Sequence, residues 1–294
     1  MVKDVFPLVS VVVPCFNAES TISETLDSIL LQDYHNIEII IVNDGSTDSS
    51  LDLINAFAAR ETNVNVIAQA NFGQSRARNV GMHSAKGQYI MFLDADDLLA
   101  TTYVSECIKV FQKRPEVLLV YSDMELFERE TGVFHLDVFN LRQFLIRNCI
   151  PSFCMLRTAQ IKEVGGFDED MQCNEDWECW IRMVAHYSPN VYKIPKPLYF
   201  YRKRNTLNSV TDVSRKQEKV DDSFIYVYNK HYKFYKQNKL SISDFFAIVI
   251  DNGFWKARHY NIWFRRFFYK LFKKSKYQAI SANTPFFDIG RDGK

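Results

Sequence analysis

The sequence predicts an α/β fold: a mixed, mostly parallel sheet with helices on both faces, followed by a helical C-terminal extension. Two observations carry this expectation. Over the first 125 residues, short β-branched apolar runs alternate with amphipathic segments, and continuously apolar strands mark a sheet that is covered on both sides. Three polar clusters also follow directly on strand-like runs: Pro14-Cys15-Phe16-Asn17, Asn43-Asp44-Gly45 and Asp94-Ala95-Asp96-Asp97. In a parallel sheet the carboxyl ends of the strands share one edge, where ligands bind. The three clusters are therefore expected to line one crevice.

Each element has its own local reason. Val9 to Val13 is a short apolar run ended by Pro14. Ile22, Leu26, Ile29 and Leu30 fall on one helical face, with Thr21 and Glu24 spaced as a capping box. Ile37 to Val42 reads as the next strand, and Asn43 to Asp48 as turn and cap chemistry ahead of a second helix. Val64 to Ala68 and Tyr89 to Leu93 supply two more strands, with a helix from Gln74 to Ser84 between them. Tyr103, Val104, Cys107, Ile108 and Phe111 mark another helix face, and Val117 to Tyr121 another strand. From Phe134 the alternation weakens. Gly165-Gly166-Phe167-Asp168 reads as a turn, and Asn174-Glu175-Asp176-Trp177 opens a helix with Trp177, Ile181 and Val184 on one side.

Composition narrows the class. A chain of 294 residues with 47% apolar content builds a substantial core. Its net charge of +1 gives no global attraction to nucleic acid. Six scattered cysteines without a Cys-x-x-Cys pair read as reduced thiols. No run of about 18 apolar residues is present, so the expectation is a cytoplasmic protein, soluble or peripheral to a membrane. The phosphate-binding glycine loops of P-loop enzymes and of dinucleotide-binding domains are missing after the first strand.

Two acidic groups carry chemistry. Paired aspartates at a strand end suit a hard divalent cation that takes oxygen ligands and keeps positions open for phosphates; the other reading is a solvated turn with helix-capping carboxylates. Glu175-Asp176 similarly reads either as a working acid–base group or as an acidic first turn favoured by the helix dipole.

Four blocks in order, Val9 to Glu19, Val42 to Asp48, Gly73 to Gly81 and Phe92 to Asp97, together with Asn174-Glu175-Asp176-Trp177, resemble the family 2 glycosyltransferases over roughly residues 8 to 210. The resemblance implies a GT-A fold and inverting transfer of a sugar from a UDP-sugar to a hydroxyl of a glycan or lipid-linked glycan, in surface polysaccharide (lipopolysaccharide or capsule) biosynthesis. It places Pro14, Asn17 and Glu19 near base and ribose, Asp44 on the base, and Arg78 beside the nucleotide or its phosphates. Asp94 and Ala95 would lie near the ribose or donor sugar, and Asp96 would ligate Mn2+ or Mg2+. Asp176 would be the general base, its pKa raised by partial burial, with Glu175 and Trp177 on the acceptor side and the Trp177 and Trp180 rings as a sugar-stacking surface. Where many members carry a histidine near the diphosphate, this chain has Arg204 or Asn205, and Arg202 and Arg204 are candidates for phosphate contact or a solvated basic loop.

The expected organisation is a catalytic domain over 1–213, with a nucleotide-sugar half (1–125) and an acceptor half (126–213), and a helical extension over 214–294. Between Asn252 and Phe287 there is no acidic residue. Within 254–276, Tyr260, Trp263, Phe264, Phe267, Phe268 and Leu271 share one side of a helix while Arg265, Arg266, Lys270 and Lys273 face away. That pattern fits a helix lying on an anionic membrane at the inner face of the cytoplasmic membrane, or one packed on the catalytic domain. No RNA-binding motif accompanies the basic patch. The rival function is a non-catalytic sugar-nucleotide or membrane-binding module of the same fold.

Overall fold

The apolar runs become the strands of a nine-stranded sheet in the order β3-β2-β1-β4-β8-β6-β9-β5, with β7 paired to β6 off that path. The computed structural model describes residues 6–204, 219–245 and 271–272. The strands are β1 (Val9–Cys15), β2 (Ile37–Asp44), β3 (Val64–Gln69), β4 (Tyr89–Phe92), β5 (Leu98–Leu99), β6 (Leu119–Glu128), β7 (Gly132–Phe134), β8 (Met155–Arg157) and β9 (Val191–Lys203). The helices are α1 (Ile22–Leu30), α2 (Ser50–Ala58), α3 (Gln74–Ser84), α4 (Tyr103–Lys113), α5 (Leu141–Phe144), α6 (Thr158–Glu163), α7 (Glu175–His186), α8 (Lys219–Lys230) and α9 (Tyr232–Gln237).

The first four strands are all parallel, β1 pairing β2 and β4, and β2 pairing β3. This brings the ends of β1, β2 and β4 to one edge. Pro14 sits opposite Val42 but beyond Val12, the last residue of β1 paired with β4. Its missing N–H therefore falls where the ladder is already lost on one side. Side chains alternate between two buried faces. Val9, Val11 and Val13 join Ile22, Leu26 and Ile29 of α1 in one core, while Val12 and Val42 meet α3 on the other face. Gly81 makes that second contact possible: a Cβ there would overlap Val12 Cγ1 and lie 3.3 Å from Val42 Cγ2.

Beyond β4 the sheet becomes mixed. β8 runs antiparallel to both β4 and β6, and β9 runs parallel to β6 and antiparallel to β5. The strand expected over Val117 to Tyr121 begins at Leu119 and continues to Glu128. Its outer half is less buried and was therefore silent as an apolar run, yet β7 and β9 pair with it. β9 contains Pro195 and Pro197, which hide a strand from sequence reading. The register slips between Ser122 and Met124, where the prolines stand, so their missing donors fall at an irregularity. The expected capping box at α1 does not form. Thr21 Oγ1 donates to the Ala95 carbonyl at 2.9 Å, and the Glu24 carboxylate pairs with Arg202 at 2.6 Å. Partners from distant segments outcompete the local cap.

The chain divides into two compact units, Met1–Lys230 and His231–Lys294. The first contains α8; the second contains α9. The basic aromatic stretch 254–276 lies outside the described residues apart from Leu271 and Phe272, both exposed. Among the described residues no helix is long and apolar enough to cross a membrane.

The α3–sheet contact gives a test. Gly81→Ala should lower stability by about 1–3 kcal/mol through overpacking, and adding Val12→Ala should recover part of the loss. Urea denaturation reads both; an unchanged midpoint for Gly81→Ala would show that α3 does not pack this closely.

Candidate functional site

The loops after β1 and β2 are tied to each other before any ligand is considered. Asn17 adopts a left-handed backbone (φ 48°), and its Oδ1 accepts from the Thr47 N–H at 2.8 Å. Glu19 Oε2 accepts from the Ser49 N–H at 2.9 Å, and the Glu19 N–H donates to Asp48 at 3.1 Å. Pro14 ends the strand just ahead of this lacing. Asp44 closes β2 with a buried carboxylate that accepts from Gln69 Nε2 at 2.7 Å, the Phe72 N–H at 3.0 Å and the Gly73 N–H at 2.8 Å. A carboxylate has about four acceptor positions, so one remains for a donor from outside.

Arg78 is the centre of the crevice. It lies on α3 with 2% exposure, and its guanidinium donates to Asp94 Oδ1 at 2.8 Å and to Glu175 Oε1 at 2.6 Å. Gln74, one helical turn earlier, donates to the same Glu175 oxygen at 2.7 Å. Asp94 follows β4, and Glu175 opens α7 some eighty residues later. A single side chain thus joins the two acidic motifs. Two carboxylates take its terminal nitrogens, so within this structure Arg78 positions acidic side chains, and its expected place beside the nucleotide is carried into the proposal below.

The three neighbouring aspartates have three different environments. Asp94 is partly exposed and paired to Arg78. The Asp96 carboxylate faces Arg204, with Nε 2.8 Å from Oδ2; burial raises its pKa, Arg204 opposes the shift, and Asp94 adds to it. Ala95, between them, is buried and gives its carbonyl to Thr21. Asp97 is enclosed, accepting from Tyr199 Oη at 2.7 Å and from the Arg202 N–H at 2.7 Å. Burial pushes its pKa well up, and the charges of Asp96 and Asp94 add to that. Asp97 therefore anchors β9 rather than facing a ligand.

Arg202 is not available for phosphate. Its Nε donates to the Asp96 carbonyl at 2.6 Å, and its terminal nitrogens reach Glu128 and Glu24. Of the two expected arginines, only Arg204 keeps a partly exposed side chain, at 30% against 7%.

Asp176 sits in the first turn of α7, partly exposed. Its Oδ1 accepts from the Trp177 N–H at 2.7 Å and its Oδ2 from Asn148 Nδ2 at 3.2 Å. Burial, then the Glu175 charge beside it, raise its pKa to about 7. Asn148 lies in a segment without periodicity, and nothing in the sequence marked it. Asn174 holds a left-handed conformation (φ 58°) at the helix start and donates to Ser223 of α8 at 2.6 Å. The stacking role expected for the tryptophans is corrected by burial. Trp177 is 1% exposed and donates Nε1–H to the Phe144 carbonyl at 2.8 Å, and Trp180 is fully buried. The helix stripe that placed Trp177 beside Ile181 and Val184 is a core stripe.

A family model described as glycosyl transferase family 2 matches residues 10–165. The chain belongs to this family. Relatives include the uncharacterized glycosyltransferase EpsJ of Bacillus subtilis, 47% identical over 95 residues that cover 32% of this chain and 28% of EpsJ. Glycosyltransferase GlyA of Streptococcus pneumoniae is 35% identical over 130 residues, 44% of this chain and 18% of GlyA. An uncharacterized glycosyltransferase of Haemophilus influenzae is 26% identical over 265 residues, 86% of this chain and 98% of that protein. The chain therefore spans well under a third of the first two relatives and nearly all of the third. Among solved structures, Staphylococcus aureus TarS 1–349 in complex with UDP-GlcNAc superposes with a TM-score of 0.59 at 23% identity, covering 67% of this chain and 59% of TarS 1–349. The mannosyltransferase PcManGT of Pyrobaculum calidifontis, in complex with GDP-Man and Mn2+, gives 0.55 at 20% identity, with coverage of 69% and 60%. This family 2 member has the GT-A fold of these neighbours.

The residues of the Asp-Ala-Asp turn fit a divalent cation. Asp96 offers a hard oxygen donor at a strand end, in a cluster of carboxylates whose repulsion a cation relieves. Among the described residues no group of three or more His, Cys, Asp or Glu could hold a metal unaided, so a cation here would complete its shell with phosphate and water.

Removing the central cation should be costly. Arg78→Met leaves Glu175 buried beside Asp176 without its partner, a loss of about 3–5 kcal/mol, and Arg78→Lys should rescue little because an ammonium lacks the planar fork that reaches both carboxylates. Denaturant midpoints within experimental error of wild type would remove Arg78 from the centre of the site.

Proposed function

We propose that this family 2 member is an inverting glycosyltransferase that moves a sugar from a UDP-sugar to a hydroxyl of a glycan or lipid-linked glycan in surface polysaccharide assembly. The observation that carries the reading is the Arg78 bridge, which holds the donor-side Asp94 and the acceptor-side Glu175 within one guanidinium. The UDP-GlcNAc in the TarS neighbour supports a uridine nucleotide as donor. The basic aromatic segment 254–276 supports an acceptor met at the inner face of the membrane.

In this reading Asp44 offers its remaining acceptor position to an N–H of the base, while Pro14, Asn17 and Glu19 shape the loop against base and ribose. Asp94 and Ala95 border the donor sugar, and Arg78 lies beside the nucleotide. Asp96 holds Mn2+ or Mg2+, which when bound supplies Lewis-acid stabilisation of the charge developing on the departing diphosphate. Asp176 takes the proton of the attacking hydroxyl, and Asn148 and the Trp177 N–H aim its carboxylate. Attack from the side opposite the leaving group inverts the anomeric carbon. Glu175 stays paired to Arg78 and Gln74, which fixes the position of the carboxylate nearest the base. Trp177 contributes from the core, by seating the first turn of α7.

Two measurements test this. UDP with Mn2+ should raise the melting temperature, and Asp96→Ala or EDTA should abolish the gain; an equal shift in all three conditions would leave the aspartates without a metal role. For turnover, Asp176→Asn should cost about 10²–10⁴-fold with UDP binding retained. A base must be ionised to act, so with its pKa at about 7 the wild-type rate should climb with pH through that value and fall away below it. Full turnover by Asp176→Asn, or a flat profile between about pH 5 and 8, would overturn Asp176 as the base and favour a non-catalytic module.

A further inference from the structure

We propose that Arg204 is a placeholder cation: it neutralises Asp96 while the site is empty and passes to the diphosphate when metal and nucleotide arrive, so that metal binding is coupled to nucleotide binding. This rests on the assignment of Asp96 to the metal.

The two arginines at the end of β9 differ in a way that decides which one can move. Arg202 would have to give up the Asp96 carbonyl, Glu128 and Glu24 together. Among the described residues Arg204 makes one ion pair, to Asp96, and its side chain is 30% exposed. Its Nε is also buried without a hydrogen-bond acceptor. The 2.8 Å contact to Asp96 is one of opposite charges off the N–H direction, and the donor itself is unsatisfied. A buried donor in that state is costly and marks a missing acceptor.

The backbone beneath it is held. The Arg204 carbonyl accepts from Arg129 Nη1 at 2.7 Å, and the Arg129 N–H donates to the Lys203 carbonyl at 3.1 Å. The guanidinium can therefore turn about an anchored main chain. A divalent cation on Asp96 Oδ2 would stand a few ångströms from the Arg204 charge, and their repulsion weakens the ion pair that holds Arg204 there. A diphosphate offers the displaced guanidinium several anionic oxygens in the planar geometry that arginine matches best. Its arrival also satisfies Nε. By linkage, whatever nucleotide does to metal affinity, metal does equally to nucleotide affinity.

The test is a titration of the full chain with Mn2+, with free ion followed by its paramagnetic resonance signal, in the absence and presence of UDP. Wild type should bind Mn2+ weakly alone and roughly tenfold more tightly with UDP. Arg204→Gln should bind Mn2+ more tightly than wild type without UDP, and UDP should then add less than it does in wild type, since only the phosphate-ligand share of the coupling is left; Arg204→Lys, which keeps the charge, should restore part of the difference. A variant that merely loosened the fold would weaken Mn2+ binding in both conditions. If Arg204→Gln leaves the affinity without UDP unchanged or lower, while Asp96→Asn abolishes Mn2+ binding, the placeholder role is overturned and the metal assignment stands. If Asp96→Asn leaves the Mn2+ titrations unaltered, both fall together.

Discussion

A single buried guanidinium makes the rest of this site possible. Asp94, Asp96, Asp97, Glu175 and Asp176 gather in one region, and carboxylates drawn together out of water repel one another and lose hydration. Arg78 offsets this at the centre, reaching Asp94 just after β4 and Glu175 at the start of α7. Its position depends in turn on α3, which approaches β1 and β2 closely because residue 81 has no side chain. The link runs from a glycine in a helix to a helix–sheet distance, and from there to the placing of two motifs far apart in sequence.

A second anchor fixes the far side. Asp97 is enclosed by Tyr199 and the Arg202 backbone, and the Arg202 side chain returns to the Asp96 carbonyl and to Glu24 and Glu128. An apolar strand runs into three carboxylates because each meets a different cation or donor set: Arg78 for Asp94, Arg204 for Asp96, and the β9 edge for Asp97. Among the described residues, Asp96 alone of the three is paired to a cation with no second ion pair to hold it. The turn thus sets Asp94 and Asp97 against buried partners and leaves Asp96 facing a partly exposed one.

The start of α7 follows the same division. Trp177 and Trp180 were legible as a helix face, but that face is turned into the core, where burial of large rings is most favourable. What this secures is the first turn of α7, and so the placing of Asp176 beside Glu175. The elevated pKa at Asp176 arises as expected from burial, with a second contribution from the neighbouring Glu175 charge that the sequence reading did not include.

Much of this was written in local pattern. Continuous apolar strands, helix faces and strand-end polar clusters determined the parallel half of the sheet, and the order of the motif blocks determined the family, because period and spacing are properties of the chain itself. Tertiary structure decided the rest. Whether Arg78 and Arg202 meet ligand or carboxylate, whether Thr21 caps its helix or reaches Ala95, and whether the tryptophans face sugar or core all depend on groups dozens of residues away. The proline-bearing β9 was likewise invisible until β6 lay beside it with a register slip to receive it. Side-chain type and spacing say what a residue can do; only the folded chain fixes which of its possible partners stands within about 3 Å.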